Sequence, residues 1–268
     1  REGLSLPPGA RRWFGRSAAE ETMRLMREWD AVGFDRAAPV YRAAEGVLRA
    51  YRAHLATLSA EGPEPARLAA EIDAHFGAAA GAAPEPDFAT PIPLRPVPDA
   101  AFETLRALSL SRRSTRNFLD RKVDPALVDR AVEVAQLSPS ACNRQPWRLH
   151  LYDNPARIRA MLALQNGNSG FGHTVPLLAV VCGDMAAFFD SSERIEPILD
   201  GGLFLAPLLL ALQAQGLASC CLNWCVDPRQ DRKAHALGDI PEQERILTFL
   251  AIGWPAPRRG HAALGPPP

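Results

Sequence analysis

Residues 138–147 read Ser138-Pro139-Ser140-Ala141-Cys142-Asn143-Arg144-Gln145-Pro146-Trp147. Two prolines frame a polar loop, and the chain then runs straight into 147–152, whose bulky apolar residues read as a short strand. Upstream, Asp124 as cap and Pro125 in the first turn open a helix over 125–137, and helical spacing also covers 102–110. Downstream come a helix over 155–164, a strand rich in Leu and Val over 177–182, and an apolar helix from about 198 to 215. That helix contains Pro207 and stops at Gly216. Strands over 219–224 and 246–252 follow, with a helix around 231–237 between them. Strands alternating with helices predict an α/β (α+β) layered fold, and the helix apolar on nearly all faces belongs in its core or in a subunit interface.

The N-terminal part is different. Met23, Met26, Trp29, then Val40, Ala44, Val47, Leu48, Tyr51 and Leu55 recur at helical spacing, so 17–76 is expected to be helical. Ser17 followed by Glu20 suggests a capping box, and Gly62-Pro63 a stop before a further helix. Six prolines at 84, 86, 91, 93, 96 and 98 read as a stiff connector. The expected organisation is a helical extension over 1–83, a Pro-rich linker over 84–99 and a main domain over 100–268.

Composition bounds the function. The 268 residues carry 30 basic and 30 acidic side chains, so no general basic field exists to recruit nucleic acid or an anionic membrane. All but Lys122 and Lys233 of the basic residues are arginine. Five cysteines in a long chain argue against a secreted disulfide framework, and the apolar run 201–212 is short for a bilayer span. A cytoplasmic, reducing setting is expected. The chain opens at Arg1 without a methionine, and the natural start is expected to lie upstream.

Signals for triads, P-loops, zincins and Rossmann fingerprints are absent, and the six histidines form no ligand spacing. A cofactor is then expected to supply any hard chemistry. Two segments are dense in polar groups. In Ser111-Arg112-Arg113-Ser114-Thr115-Arg116-Asn117-Phe118, alternate residues of an extended chain face one side, so Arg112, Ser114 and Arg116 would converge as two guanidinium forks and a hydroxyl suited to a phosphate. The alternative is a solvated basic loop. In 138–147, Asn143 and Gln145 offer amides that donate and accept, matching an edge of alternating donors and acceptors such as the pyrimidine of a flavin. The alternative there is a turn whose amides satisfy its own backbone.

Together these segments resemble the FMN-dependent nitroreductase family. The R-R-S-x-R-x-F pattern stands as Arg112 to Phe118, and S-P-S-x-x-N-x-Q-P-W stands as Ser138 to Trp147. Gly216-Leu217-Ala218-Ser219-Cys220-Cys221 after the apolar helix is similar to the family's G-L-x-S-C turn, and Ala251-Ile252-Gly253-Trp254-Pro255 to its closing strand end. The resemblance covers about 105–259. Glu2-Gly3-Leu4-Ser5-Leu6-Pro7 is similar to a segment that precedes the core in a branch of nitroreductase-like proteins associated with biosynthetic loci.

The resemblance implies a three-layer fold with a central mixed sheet flanked by helices, plus the N-terminal helical extension. It implies a homodimer with FMN at the subunit interface. Arg112, Ser114 and Arg116 would hold the phosphate, ribityl chain and pyrimidine carbonyl, with Arg113 at another phosphate-facing position. Pro139, Ser140 and Asn143 would line the isoalloxazine from the partner chain, Gln145 supporting; Gln165 and Asn166 are further candidates near the pyrimidine. Backbone amides of Cys221, Leu222 and Asn223 would approach the reactive edge, and Trp224 would add bulk beside it. Arg258 or Arg259 would reach back to the phosphate. No residue is catalytic in its own right and no metal is expected.

The activity so implied is a ping-pong transfer of hydride or electrons from NAD(P)H through FMN to an electron-poor small molecule of nitro, quinone or enone type. An FMN-dependent dehydrogenase or oxidase tailoring a natural product, peptide or sugar is the alternative. A catalytically weak flavin-fold interaction protein is the second.

Overall fold

The computed structural model describes residues 13–56, 58, 63–77 and 95–257. Glu2 to Pro7, Gly62, the prolines at 84–93, Arg258 and Arg259 lie outside them. The chain divides into two compact units, Arg1–Pro96 and Val97–Pro268, and the division falls inside the proline-rich stretch.

The first unit holds α1 (Arg16–Val32), α2 (Pro39–Leu55) and α3 (Pro63–Phe76). Ala19, Met23 and Met26 of α1, Tyr41, Leu48 and Leu55 of α2, and Leu68 and Ile72 of α3 recur at three, four or seven and close into one core. The ends of α1 are set by glycine. Gly15 and Gly33 both take positive φ, 86° and 79°, which a side chain would resist. The helix therefore starts before Ser17, and the expected Ser17–Glu20 capping box does not form: Glu20 instead accepts from Arg16, one turn back.

The second unit contains α4 (Ala101–Ser111), α5 (Pro125–Ala135), β1 (Trp147–Tyr152), α6 (Pro155–Leu162), β2 (Leu177–Asp184), α7 (Glu196–Ala214), β3 (Ala218–Asn223), α8 (Pro228–Gly238) and β4 (Glu244–Gly253). Three helices begin the same way. Asp124, Asn154 and Asp227 each accept from the first free amides, and each is followed by proline, whose missing N–H costs nothing there. Asp227 forms a full capping box with Gln230, which starts α8 three residues before the sequence reading placed it.

The strands form one sheet in the order β1-β2-β4-β3, all antiparallel. Its parallel element is a bridge from Ser114 to Ser219, where the chain after α4 lies along the free edge of β3. Helices cover both faces, making three layers. Leu177, Ala179 and Val181 of β2 pack with Val128, Ala131 and Ala135 of α5 and Phe204, Leu208 and Leu212 of α7. Leu178, Val180 and Cys182 face the other way, toward Ile158, Met161 and Leu162 of α6 and Ala234 of α8. The register shift between Val181 and Cys182 of β2 inserts an extra β4 residue, so Ile246 and Phe249, three apart, share one face.

Pro207 sits inside α7 without stopping it. Proline cannot donate to the carbonyl four residues back, which leaves Leu203 O without its helical partner. Ser138 Oγ donates to that oxygen at 2.9 Å. With the turn ahead of it the helix spans Ser191–Ala214, longer than the 201–212 run, and an 18-residue window within it has a mean hydropathy of 1.7, so it is long and apolar enough by composition to cross a membrane. In this fold its Phe204, Leu208 and Leu212 stripe is the core of one layer.

Candidate functional site

The segment after α4 behaves as an extra half-strand. Thr115 N donates to Ser219 O at 3.0 Å, and Phe118 pairs with Pro255. Extended backbone puts Arg112, Ser114 and Arg116 on one side, and all three act on a single group, the Cys220 thiol. Burial pushes that thiol up, while Arg116, Ser114 and Arg112 each pull it down. Arg112 also lowers Cys221, again against a larger upward push from burial. Cys221 is nevertheless exposed. Among the described residues neither Arg112 nor Arg116 has a carboxylate partner. Arg113 turns away from this group, and its guanidinium caps α4 through the carbonyls of Leu110 and Arg112.

The second motif is a clamped and strained loop. Cys142, Asn143 and Gln145 all take positive φ, 51°, 55° and 51°, conformations that cost non-glycine residues free energy and persist only when the surroundings impose them. Those surroundings are visible. Ser140 receives Asn143 N at its carbonyl, 2.9 Å, and Gln145 N at its hydroxyl, 3.0 Å. Arg144 pairs with Glu193 at 2.7 Å and lies over the rings of Phe188 and Phe189. Ala141 N donates to the Asp200 carboxylate on α7, 3.1 Å to each oxygen. Asp200 is only 1% exposed, and burial raises its carboxyl pKa, opposed by the Ala141 amide and by Arg144. Loop and helix thus hold each other: Ser138 satisfies α7 at Leu203, and Asp200 satisfies the loop at Ala141. Pro139, Asn143 and Gln145 are exposed, and the two amide side chains have no hydrogen-bond partner among the described residues.

The two motifs do not meet within one chain. Trp147 pairs with Gly183, which faces Arg245, whereas Ser219 pairs with Ile252 near the other end of β4. Four strand spacings at ~4.8 Å and about seven residues along β4 at ~3.4 Å place the loop and the arginine segment at opposite corners, roughly 30 Å apart. A single chain therefore does not bring the two motifs into one site.

The remaining candidates divide. Cys221 and Asn223 are exposed on one face of β3, and Leu222 is buried on the other. Gln165 is 5% exposed and committed internally: its Nε2 donates to Asn223 O at 3.0 Å, and its Oε1 accepts from Asn168 at 3.0 Å. It braces the end of β3, while Asn166 is exposed. Trp224 corrects an expectation. It continues the inward parity of Cys220 and Leu222, stacks on Phe249 at 4.3 Å and donates to Asp231 at 2.7 Å, so its partly buried ring packs against the core.

A sequence profile described as the nitroreductase family matches residues 110–166, which contain both motifs. A protein of Archaeoglobus fulgidus named for NADH dehydrogenase and NAD(P)H nitroreductase activity is 30% identical over 150 residues, 54% of this chain and 82% of its own. The chain belongs to the nitroreductase family.

Solved structures agree at the level of the fold. A protein of Parabacteroides distasonis carrying the same pair of activity names superposes with a TM-score of 0.54, covering 62% of this chain and 94% of its own at 21% identity. An FMN-dependent nitroreductase of Clostridium difficile gives 0.51, covering 59% and 91% at 19% identity. As a nitroreductase-family member the chain is an oxidoreductase.

Sequence reasoning missed the supports of this nitroreductase site: Asp200, the Arg144–Glu193 pair and the Ser138–Leu203 bond. Asp200 had a faint signal, an acidic residue inside an otherwise apolar helix, where a buried carboxylate implies a partner.

Proposed function

We propose that the chain is an FMN-dependent oxidoreductase that takes reducing equivalents from NAD(P)H and passes them to an electron-poor small molecule of nitro, quinone or enone type, working as a cytoplasmic homodimer. The observation that carries this reading is the split site. Two guanidinium groups without carboxylate partners among the described residues and a hydroxyl stand at one corner of the sheet, and a strained loop with two free amides at the other. A second copy related by a two-fold axis brings one corner to the other twice over. Ile195, Ile198, Leu199 and Leu203, exposed along α7, supply an apolar face for that contact.

The residues suit the flavin nucleotide in chemistry. Arg112 and Arg116 are planar forks matched to a dianionic phosphate, and Ser114 adds a donor between them. Asn143 and Gln145 can donate and accept at once, as the pyrimidine edge requires. When bound, FMN supplies the two-electron chemistry, hydride in from the nicotinamide and reducing equivalents out to the second substrate. The chain orients that group and shields it. The clamp from Asp200, Ser138 and Arg144 fixes the loop amides before any ligand arrives, so little ordering remains to be done on binding. Cys221 and Asn223 are exposed, which leaves that stretch of β3 open to the ring from the other chain's corner.

The test is the visible spectrum of the purified protein, with and without NADPH or NADH in the absence of oxygen. A bound flavin that bleaches on adding either nucleotide supports the reading. Bound flavin that neither nucleotide bleaches moves the assignment to a dehydrogenase or oxidase reduced by its own substrate. A colourless protein that does not take up added FMN overturns it.

A further inference from the structure

On the opposite face of the sheet from the loop clamp, three potential ligands from three adjacent strands converge. His150 is on β1, Cys182 on β2 and Glu244 on β4, and one donor atom from each lies within 4.8 Å of the other two. The register explains why. Cys182 is paired with Arg148 and Ile246, so His150 stands two residues further along β1 and Glu244, opposite Asp184, two residues further in the other direction on β4, both on the face of Cys182. The two reach diagonally over the central strand, and His150 Nε2 lies 2.5 Å from Glu244 Oε2 above the thiol.

We propose that His150, Cys182 and Glu244 form a binding site for a divalent cation of the zinc class. A nitrogen, a sulfur and a carboxylate oxygen form a donor set for a borderline-soft ion, not for Mg²⁺ or Ca²⁺, which take oxygen. Bonds of about 2.0–2.3 Å in tetrahedral geometry hold donors about 3.3–3.8 Å apart, so the His150–Glu244 contact has to open by about 1 Å and the thiol to close by a similar amount. Cys182 is 0% exposed, its thiol has no hydrogen-bond partner among the described residues, and Glu244 is 6% exposed. Without a cation, burial first and then the Glu244 carboxylate push the thiol far up; a bound cation reverses that sign. His150 is 24% exposed at its side chain and provides the way in, and water fills the fourth position. The ion would clip β1 to β4 across β2, so it acts on the stability of the sheet.

Cobalt substitution tests this on the full chain after treatment with a chelator. One Co²⁺ per chain with a thiolate-to-cobalt charge-transfer band is expected, displaced by Zn²⁺, and absent in Cys182→Ser. His150→Gln, at a partly exposed position that tolerates the change, and Glu244→Gln should each weaken Zn²⁺ binding at least ~10-fold. Zn²⁺ should raise the melting temperature of the wild type but not of His150→Gln. No cobalt binding by the wild type overturns the proposal and leaves a dry His–Glu pair over an inert thiol. A band that survives in Cys182→Ser also overturns it, because it assigns the metal to the exposed Cys142, Cys221 or Cys225. Should Cys182→Ser fail to fold, an equal Zn²⁺ response in wild type and His150→Gln overturns it as well.

Discussion

Replacing Asp200 by alanine removes the carboxylate that holds the Ala141 amide, both oxygens at 3.1 Å. A hydrogen bond to a charged acceptor contributes ~1.5–3 kcal/mol, part of which is offset here because the burial penalty of the carboxylate disappears with it. The loop itself stores strain. Three left-handed non-glycine residues cost roughly 1 kcal/mol each, so the anchors oppose about 3 kcal/mol of tendency to relax. A net loss of ~1.5–2 kcal/mol in loop order follows, and at 1.4 kcal/mol per decade that is a 10- to 30-fold weaker FMN complex. The assay is quenching of flavin fluorescence on binding, with urea unfolding run alongside. Asp200→Asn keeps an acceptor without the charge and should lose less.

Both variants also separate from the wild type in pH. Burial raises the native carboxyl above its ordinary value, so between the two values the native state holds the proton more tightly than the unfolded chain. Stability contributed by this group is full below the ordinary value and is lost as pH rises through the raised one. Asp200→Asn flattens that limb. An Asp200→Ala protein that binds FMN as the wild type does refutes the clamp, whatever its stability.

Arg112→Ala removes a guanidinium from the phosphate corner and should weaken FMN by a factor of 10 to 100, from ~1.5–3 kcal/mol per charged contact; equilibrium dialysis measures it, and unchanged affinity rejects the assignment. Tyr152 is buried, its hydroxyl donates to Gly238 O at 2.8 Å, and burial pushes its phenol up to about 12. The native state therefore keeps the phenol proton longer than the unfolded chain, and stability falls as pH rises from 10 through 12; Tyr152→Phe should lose ~1 kcal/mol at neutral pH and show a shallower alkaline limb in urea melts. At Gly253 an added Cβ would lie 2.8 Å from both Phe118 Cδ1 and Pro176 Cγ, so Gly253→Ala should destabilise by ~1–3 kcal/mol in the same assay, and an unaffected midpoint would show that the Phe118 segment is free to move.

Much of the second unit was legible because its signals are local. An Asp-Pro or Asn-Pro pair starts a helix where it stands, and Asp124 does what its position requires. The strand at 147–152 was read to the residue because a proline and a tryptophan mark its start. Ser17 misled for a complementary reason: the glycine two residues before it had already turned the chain, and backbone freedom outranked a side-chain cap. Trp224 misled because the family motif drew attention to sequence adjacency, whereas alternation along β3 had already assigned it to the inner face.

The sequence alone determined most of the elements, the Asp124 cap, the convergence of Arg112, Ser114 and Arg116 on one side of an extended segment, and the polar character of the 138–147 loop. These follow from residues within a few positions of one another. Only the tertiary structure decided that the two motifs stand at opposite corners of the sheet, that Asp200 reaches the Ala141 amide 59 positions away, and that Ser138 satisfies the carbonyl stranded by Pro207. Strand order and register are set by pairing between distant segments, and a buried polar group finds its partner only when that pairing has brought the two together.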